Sequence, residues 1–361
     1  MYKSKNGTYL INDTILYEDL NYLVCNVDCL KELDDRTILI TGATGMIGSF
    51  IIKTLILYNN MKKSNIKIIA LGRNYEKARL VFGDLLDEIQ YINEDILNIL
   101  EISEPIDYII HGASITSSYD FVKKPVDTIN TAVYGTNNIL NLARKKSIKG
   151  LVYISSLEVY GLINSNYPDV KEMDYGYIDI LNIRSSYSES KKLAECLCVS
   201  YANQYEIPIK IARLCQTFGA GVEYNDNRVY AEFARCMIEN KNIVLHTTGE
   251  TLRDYCYIRD AVSAIFTLLF KGNSGEAYNV ANNRTSITIK DMAELVVSNF
   301  GSSEIKVVYE IDDNIITRGY NPINRIKLNT KKIEQLGWQA EVDLIEMYQR
   351  MIESMKNNLQ N

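Results

Sequence analysis

The chain has 361 residues, 47% of them hydrophobic and 23% charged, with a formal net charge of −6. That length can bury a large core and fits two domains or one elaborated domain. The acidic balance speaks against general binding to nucleic acid or to anionic membranes, and no apolar run is long enough to span a bilayer. Met1 to Gly7 lack the apolar centre of a signal peptide. The seven cysteines (Cys25, Cys29, Cys196, Cys198, Cys215, Cys236 and Cys256) form no paired C-x-x-C clusters, and His111 and His246 are the only histidines. No metal site is therefore expected, and reduced thiols in the cytoplasm are.

Residues 1–35 are expected to form an N-terminal helical extension, with one or two short helices between Leu16 and Leu33 packed on the core. Ile38-Leu-Ile40 then reads as a strand, Thr41-Gly-Ala-Thr-Gly-Met-Ile-Gly48 as a glycine turn, and Phe50 to Leu57 as the start of an amphipathic helix. Gly42, Gly45 and Gly48 let backbone N–H groups and the helix N-terminus face a pyrophosphate, because no Cβ blocks the approach. In the order strand, turn, helix, this pattern points to a dinucleotide site.

Strand and helix continue to alternate. Ile66–Leu71, Tyr91–Ile92 and Ile106–His111 read as strands, Pro125–Arg144 as a helix and Gly150–Ser155 as the fifth strand. Ser188–Tyr205 follows as a helix and Ile207–Leu214 as a strand. The expected fold is α/β, a Rossmann-like doubly wound parallel sheet over 36–214, with ligands collected at the C-terminal ends of its strands. After Cys215 the alternation becomes irregular, with helices at Val229–Glu239, Asp260–Phe270, Ile289–Phe300 and Asp343–Met355 and a short strand at Ile243–His246. Residues 215–361 are expected to form a smaller C-terminal α/β substrate-binding lobe, with 252–270 returning to the Rossmann domain.

The second chemical constellation is Tyr187-Ser-Glu-Ser-Lys191. Positions i and i+4 share a helix face, so the ammonium can lie near the phenol. A nearby positive charge favours phenolate and makes Tyr187 a candidate acid/base. Tyr58/Lys62, Tyr119/Lys123 and Tyr167/Lys171 share the spacing. Tyr187 differs in following a strand that ends at Ser155-Ser156 and in opening a strong helix.

These pieces resemble the extended short-chain dehydrogenase/reductase family of nucleotide-sugar epimerases, dehydratases and decarboxylases. The matching motifs are Gly42-x-x-Gly45-x-x-Gly48, Ser155-Ser-Leu-Glu-Val-Tyr-Gly161, Tyr187-x-x-x-Lys191, Arg213-Leu-Cys-Gln-Thr-Phe-Gly219, Arg253-Asp-Tyr-Cys-Tyr-Ile-Arg-Asp260 and Leu336-Gly-Trp338. The resemblance implies an enzyme that transiently oxidises a sugar at C4 with bound NAD, NADP being the other option. Ser156 would hydrogen-bond the reacting hydroxyl and Tyr187 would take its proton. Lys191 would hold the cofactor ribose and depress the tyrosine pKa. Gly42, Thr44, Gly45, Met46, Ile47 and Gly48 would line the cofactor, with Asp95 and Ile96 beside the adenine. Arg73 stands where NAD enzymes usually carry an acid, and would meet a 2′-phosphate or stack on adenine. Arg253, with Arg228, Arg325 and Gln216, would contact the sugar nucleotide.

Glu158 is the discriminator among reactions. Dehydratases and decarboxylases resembling this stretch carry a carboxylate there, which removes a C5 proton or organises loss of carbon dioxide. Leu157 stands where thymidine-type 4,6-dehydratases carry the acid that protonates the leaving hydroxyl. Tyr175 to Tyr187 and Asp226 to Phe233 look most like UDP-glucuronate decarboxylases, although Ser188, Ser190, Gln216 and Ala132 depart from that pattern. Decarboxylation of a UDP-uronic acid is the leading expectation. An NDP-hexose 4,6-dehydratase and a C4 or C5 epimerase are alternatives, and a non-catalytic dinucleotide sensor or scaffold is the alternative of another class. The helices near 125–144 and 188–205 resemble a pair that forms a homodimer interface in relatives.

Overall fold

The computed structural model describes residues 11–98, 101–163, 169–311 and 323–359. Residues 1–10 of the expected extension, and Tyr167 of the Tyr167/Lys171 pair, lie outside them. The first Rossmann half runs through β1 (Thr37–Thr41), β2 (Lys67–Gly72) and β3 (Gln90–Asn93), preceded by α1 (Thr14–Asn26) and linked by α2 (Met46–Lys62) and α3 (Tyr75–Phe82). The second half runs through β4 (Tyr108–His111), α4 (Ser118–Lys123), α5 (Pro125–Lys146), β5 (Gly150–Ser156), α6 (Ser185–Tyr205) and β6 (Ile209–Leu214). Then follow β7 (Gln216–Phe218), α7 (Val229–Ile238), β8 (Ile243–Leu245), β9 (Leu252–Tyr257), α8 (Ile258–Lys271), β10 (Glu276–Val280), β11 (Asn282–Thr288), α9 (Ile289–Phe300), β12 (Val307–Tyr309), α10 (Lys331–Glu334) and α11 (Leu344–Leu359).

Seven strands form one parallel sheet in the order β10-β6-β5-β4-β1-β2-β3. The order reverses at β1, so a crevice opens beyond the C-terminal ends of β1 and β4. Strand alternation splits the core between the two faces. Ile38, Ile40, Ile110 and Val152 pack with α1, α2 and α8, whereas Leu39, Ile109, Leu151 and Tyr153 pack with α5 and α6. The Val- and Ile-rich runs read in the sequence form these strands because both sheet faces are buried.

Several elements escaped the sequence pattern, a helix and a central-sheet strand among them. Tyr75–Phe82 is a helix capped by the Asn74 side chain, which accepts from the Lys77 N–H at 2.9 Å. Glu276–Val280 supplies the seventh sheet strand. Its apolar residues are interrupted by Asn279, which is fully buried and bonds the carbonyls of Val170 and Asn329 at 2.9 and 3.0 Å. Within the stretch 252–270, α8 packs on β5 and β6, whereas β9 belongs to a separate three-stranded sheet. Two smaller sheets, β11-β9-β7 and β12-β8, lie outside the seven-stranded one.

The N-terminal segment is docked. Asp13 caps α1 by accepting from the Ile15 and Leu16 N–H groups, and Asp19 is fully buried against Arg350 of α11 (2.9 Å) and the Tyr257 hydroxyl (2.5 Å).

Candidate active site

The glycine turn closes on itself through the Gly45 N–H, which donates to the Gly42 carbonyl at 2.9 Å. Gly42 has φ +69°, and a Cβ there would stand 2.8 Å from the Gly112 carbonyl carbon. A Cβ on Gly48 would overlap the Gly42 carbonyl oxygen. Thr44 and Gly45 lead into α2, which opens with Met46 and Ile47, and no side chain caps its first amides. Uncapped amides at a helix start beside a turn with no room for Cβ atoms form a cradle that fits a pyrophosphate. Gly48→Ala would force the turn open at a cost of about 1–3 kcal/mol. NAD should then bind roughly tenfold to a hundredfold more weakly in a calorimetric titration.

At the far end of the crevice Arg73, just past the end of β2, and Asp95, past β3, approach to 4.0 Å. Arg73 is 66% exposed there. Ile96 is buried, and the Asn138 amide holds its carbonyl at 2.9 Å.

Ser156 ends β5, and its Oγ accepts the Glu158 N–H at 3.2 Å, capping the single turn Leu157–Tyr160. The turn sends Leu157 into the core and Glu158 towards the second lobe. Tyr187 lies in the first turn of α6, 7% exposed, with its ring flat against Phe121 (centroids 4.2 Å apart, 10° between planes). Ser156 stands close enough to the Tyr187 phenol to favour its ionised form. The sequence-predicted pair Ser156 and Tyr187 is thus brought together from β5 and α6.

Lys191 follows Tyr187 one turn further along α6. Its Nζ donates to the Ile154 carbonyl at 2.8 Å and lies 5.9 Å from the Tyr187 ring centroid. Burial pushes the Tyr187 phenol up to about 12, and Ser156, Arg184 and Arg228 oppose this. Burial also lowers Lys191 to about 8. Placing phenol and ammonium on one helix face did bring them close, and burial is the largest influence on each.

Glu158 sits between two lobes. Its two carboxylate oxygens accept from Arg184 at 3.0 and 3.2 Å, Ser188 donates at 3.4 Å, and Arg253 of β9 approaches to 3.6 Å. Burial would raise its pKa, but Arg184 and Arg253 override that and hold it at about 2. Glu158 is therefore a fixed anion. So weak a base is poorly suited to removing a C5 proton.

The remaining substrate candidates divide. Arg228, at the N-terminus of α7, is clamped by Asp226, with Nε to Oδ1 at 2.9 Å, and its charge reaches Tyr187. Gln216 opens β7, opposite Tyr255 of β9. Arg325 stays 59% exposed, 3.9 Å from Glu250, and does not join the Glu158 cluster. Arg184 and Phe121 were not singled out from the sequence. Arg184 had a usable signal, a cation three residues before Tyr187. Phe121 had none, since only tertiary packing brings α4 against α6.

The sequence profile of the NAD dependent epimerase/dehydratase family matches residues 38–281. The chain belongs to that family. Its cofactor is accordingly NAD, as the sequence favoured over NADP. The chain is 28% identical to UDP-glucuronic acid decarboxylase 1 of Danio rerio, over 92% of this chain and 77% of the relative. It is 26% identical to the dTDP-D-glucose 4,6-dehydratase of Bos taurus, over 90% of each. The dTDP-glucose 4,6-dehydratase of Streptomyces venezuelae, solved with NAD bound, superposes with a TM-score of 0.76 at 21% identity, covering 90% of this chain and 98% of that one. The expected Rossmann-like α/β fold stands.

Proposed function

We propose that this family member is a UDP-glucuronate-type decarboxylase. The observation that carries the proposal is the state of the two positions that separate the candidate reactions. Leu157 is buried in the core and has no proton to give. Glu158 is held ionised by Arg184 and Arg253. A 4,6-dehydration needs an acid for the departing hydroxyl, and neither position offers one. Loss of carbon dioxide needs none. Guanidinium groups beside the sugar also complement a substrate carboxylate.

The cradle of Gly42, Gly45 and Gly48, with Arg73, Asp95 and Ile96, would hold NAD, which supplies a hydride acceptor and later a hydride donor for the sugar C4. Ser156 orients the C4 hydroxyl, and Tyr187, reacting as the phenolate that Ser156, Arg184 and Arg228 favour against burial, takes its proton as C4 becomes a ketone. The product is a β-keto acid, whose C5–carboxyl bond breaks with its electron pair delocalised into the ketone. The electron-rich C5 then takes up a proton, and Tyr187 returns its own proton to the C4 oxygen when hydride comes back. Lys191 holds the cofactor ribose, while Arg253, Arg228 and Gln216 grip the sugar nucleotide. Val126, Ile129 and Tyr134 on α5, and Leu193 and Val199 on α6, leave apolar faces exposed on two mutually packed helices. Homodimerisation through this pair, in the cytoplasm, belongs to the same proposal.

Incubation with UDP-glucuronate, followed by mass spectrometry, should show carbon dioxide and a UDP-pentose. A 4-keto-6-deoxy product from an NDP-hexose, with no pentose from the uronate, would transfer the assignment to the dehydratases.

A further inference from the structure

An aromatic ring and a guanidinium line up beside the phenol. Phe121 is 3% exposed and stacks flat on Tyr187. The Arg184 guanidinium lies 5.6 Å from the centroid of the same Phe121 ring. The Ser186 hydroxyl donates to the Phe121 carbonyl at 3.0 Å, pinning α4 to the first turn of α6. Arg184 is itself fixed by its two bonds to Glu158. The segment leading into α4 starts at Gly112, which walls the cofactor cradle against Gly42. Phe121 therefore reaches the phenol from a stretch of chain anchored beside the cofactor cradle.

We propose that Phe121 and Arg184 are positioning residues for Tyr187, fixing the plane of its ring and setting the charge its phenol feels. This rests on Tyr187 being the acid/base group, not on which sugar is bound. A flat partner denies the ring rotation about its long axis, and a misplacement of about 1 Å at a reacting atom costs on the order of a hundredfold in rate. Arg184 favours phenolate, against burial and the Glu158 carboxylate. The other charged or titratable groups near the phenol are Arg228 with its partner Asp226, Lys191 and the Tyr153 hydroxyl. On α4 itself Asp120 pairs with Lys124 just beyond the helix end, at 3.7 Å.

The two residues make opposite demands on the pH profile. Phe121→Ala opens the phenol to water, so the acid limb of kcat/KM should move to lower pH while kcat falls roughly tenfold to a hundredfold. Arg184→Gln removes a cation, so the limb should move up by about one pH unit. Arg184→Lys keeps the charge and should restore the limb towards the wild-type position, with weaker hold on Glu158. The holoenzyme is assayed with UDP-glucuronate, and NAD binding by each variant is checked by calorimetry. Phe121→Leu and Arg184→Lys serve if the larger changes do not fold. Limbs that coincide with wild type in every variant would overturn the proposal, whatever happens to kcat. Should Tyr187→Phe retain turnover, the underlying assignment of the base fails instead, and the two failures are thus told apart.

Discussion

Tyr187→Phe should lower turnover by about 10²–10⁴-fold, the range expected for loss of a positioned acid/base, while NAD binding stays within about twofold of wild type. The substitution removes one oxygen from a ring that is 7% exposed and stacked on Phe121, so the fold and the ring's packing are kept. Only the proton path to the sugar oxygen is lost. Rapid-quench kinetics with UDP-glucuronate, alongside calorimetry with NAD, separates the two quantities. Equal loss of both would point to a structural effect of the substitution.

Arg213→Ala should destabilise the protein by about 3–5 kcal/mol, the cost of leaving a buried charge without its partner. Arg213 is 1% exposed. Its guanidinium bonds Glu195 at 2.6 Å, the Tyr160 and Tyr175 hydroxyls at 3.0 and 2.7 Å, and the Glu172 carbonyl at 2.7 Å. Glu195 also accepts from the Ser155 hydroxyl at 2.5 Å. The network ties β5, β6 and α6 together beside the strand end that carries Ser156. Replacing Arg213 and Glu195 together with apolar residues of similar volume should recover much of the loss, because no buried charge then remains uncompensated. Denaturant unfolding of the single and double variants checks both statements.

The parts of the site legible in the sequence are those whose chemistry lies within one stretch of chain. The glycine turn is legible from its own spacing, and Gly48 is required by contacts within the turn, although the space at Gly42 is closed by Gly112 from beyond β4. Ser156 and Tyr187 could be named because each sits at a strand end or helix start. What the chain did not disclose depends on elements far apart in sequence. Phe121 reaches Tyr187 across 66 residues, and Arg253 reaches Glu158 across 95. The burial of the Tyr187–Lys191 pair was hidden for a related reason. Helical spacing fixes proximity, but burial depends on the whole fold, and here burial dominates both groups. Arg213 was visible in a motif, whereas its structural duty emerged only once Glu195, Tyr160 and Tyr175 were placed around it.

The most direct measurement follows the hydrogen on the sugar C4. With UDP-glucuronate deuterated at C4, the account predicts a slowed first step and a UDP-pentose that retains the deuterium at C4, because hydride leaves and returns within one closed site. A product whose C4 hydrogen has exchanged with solvent, or carbon dioxide release with no isotope effect on C4 oxidation in a single turnover and no reduced nicotinamide along the way, would contradict it.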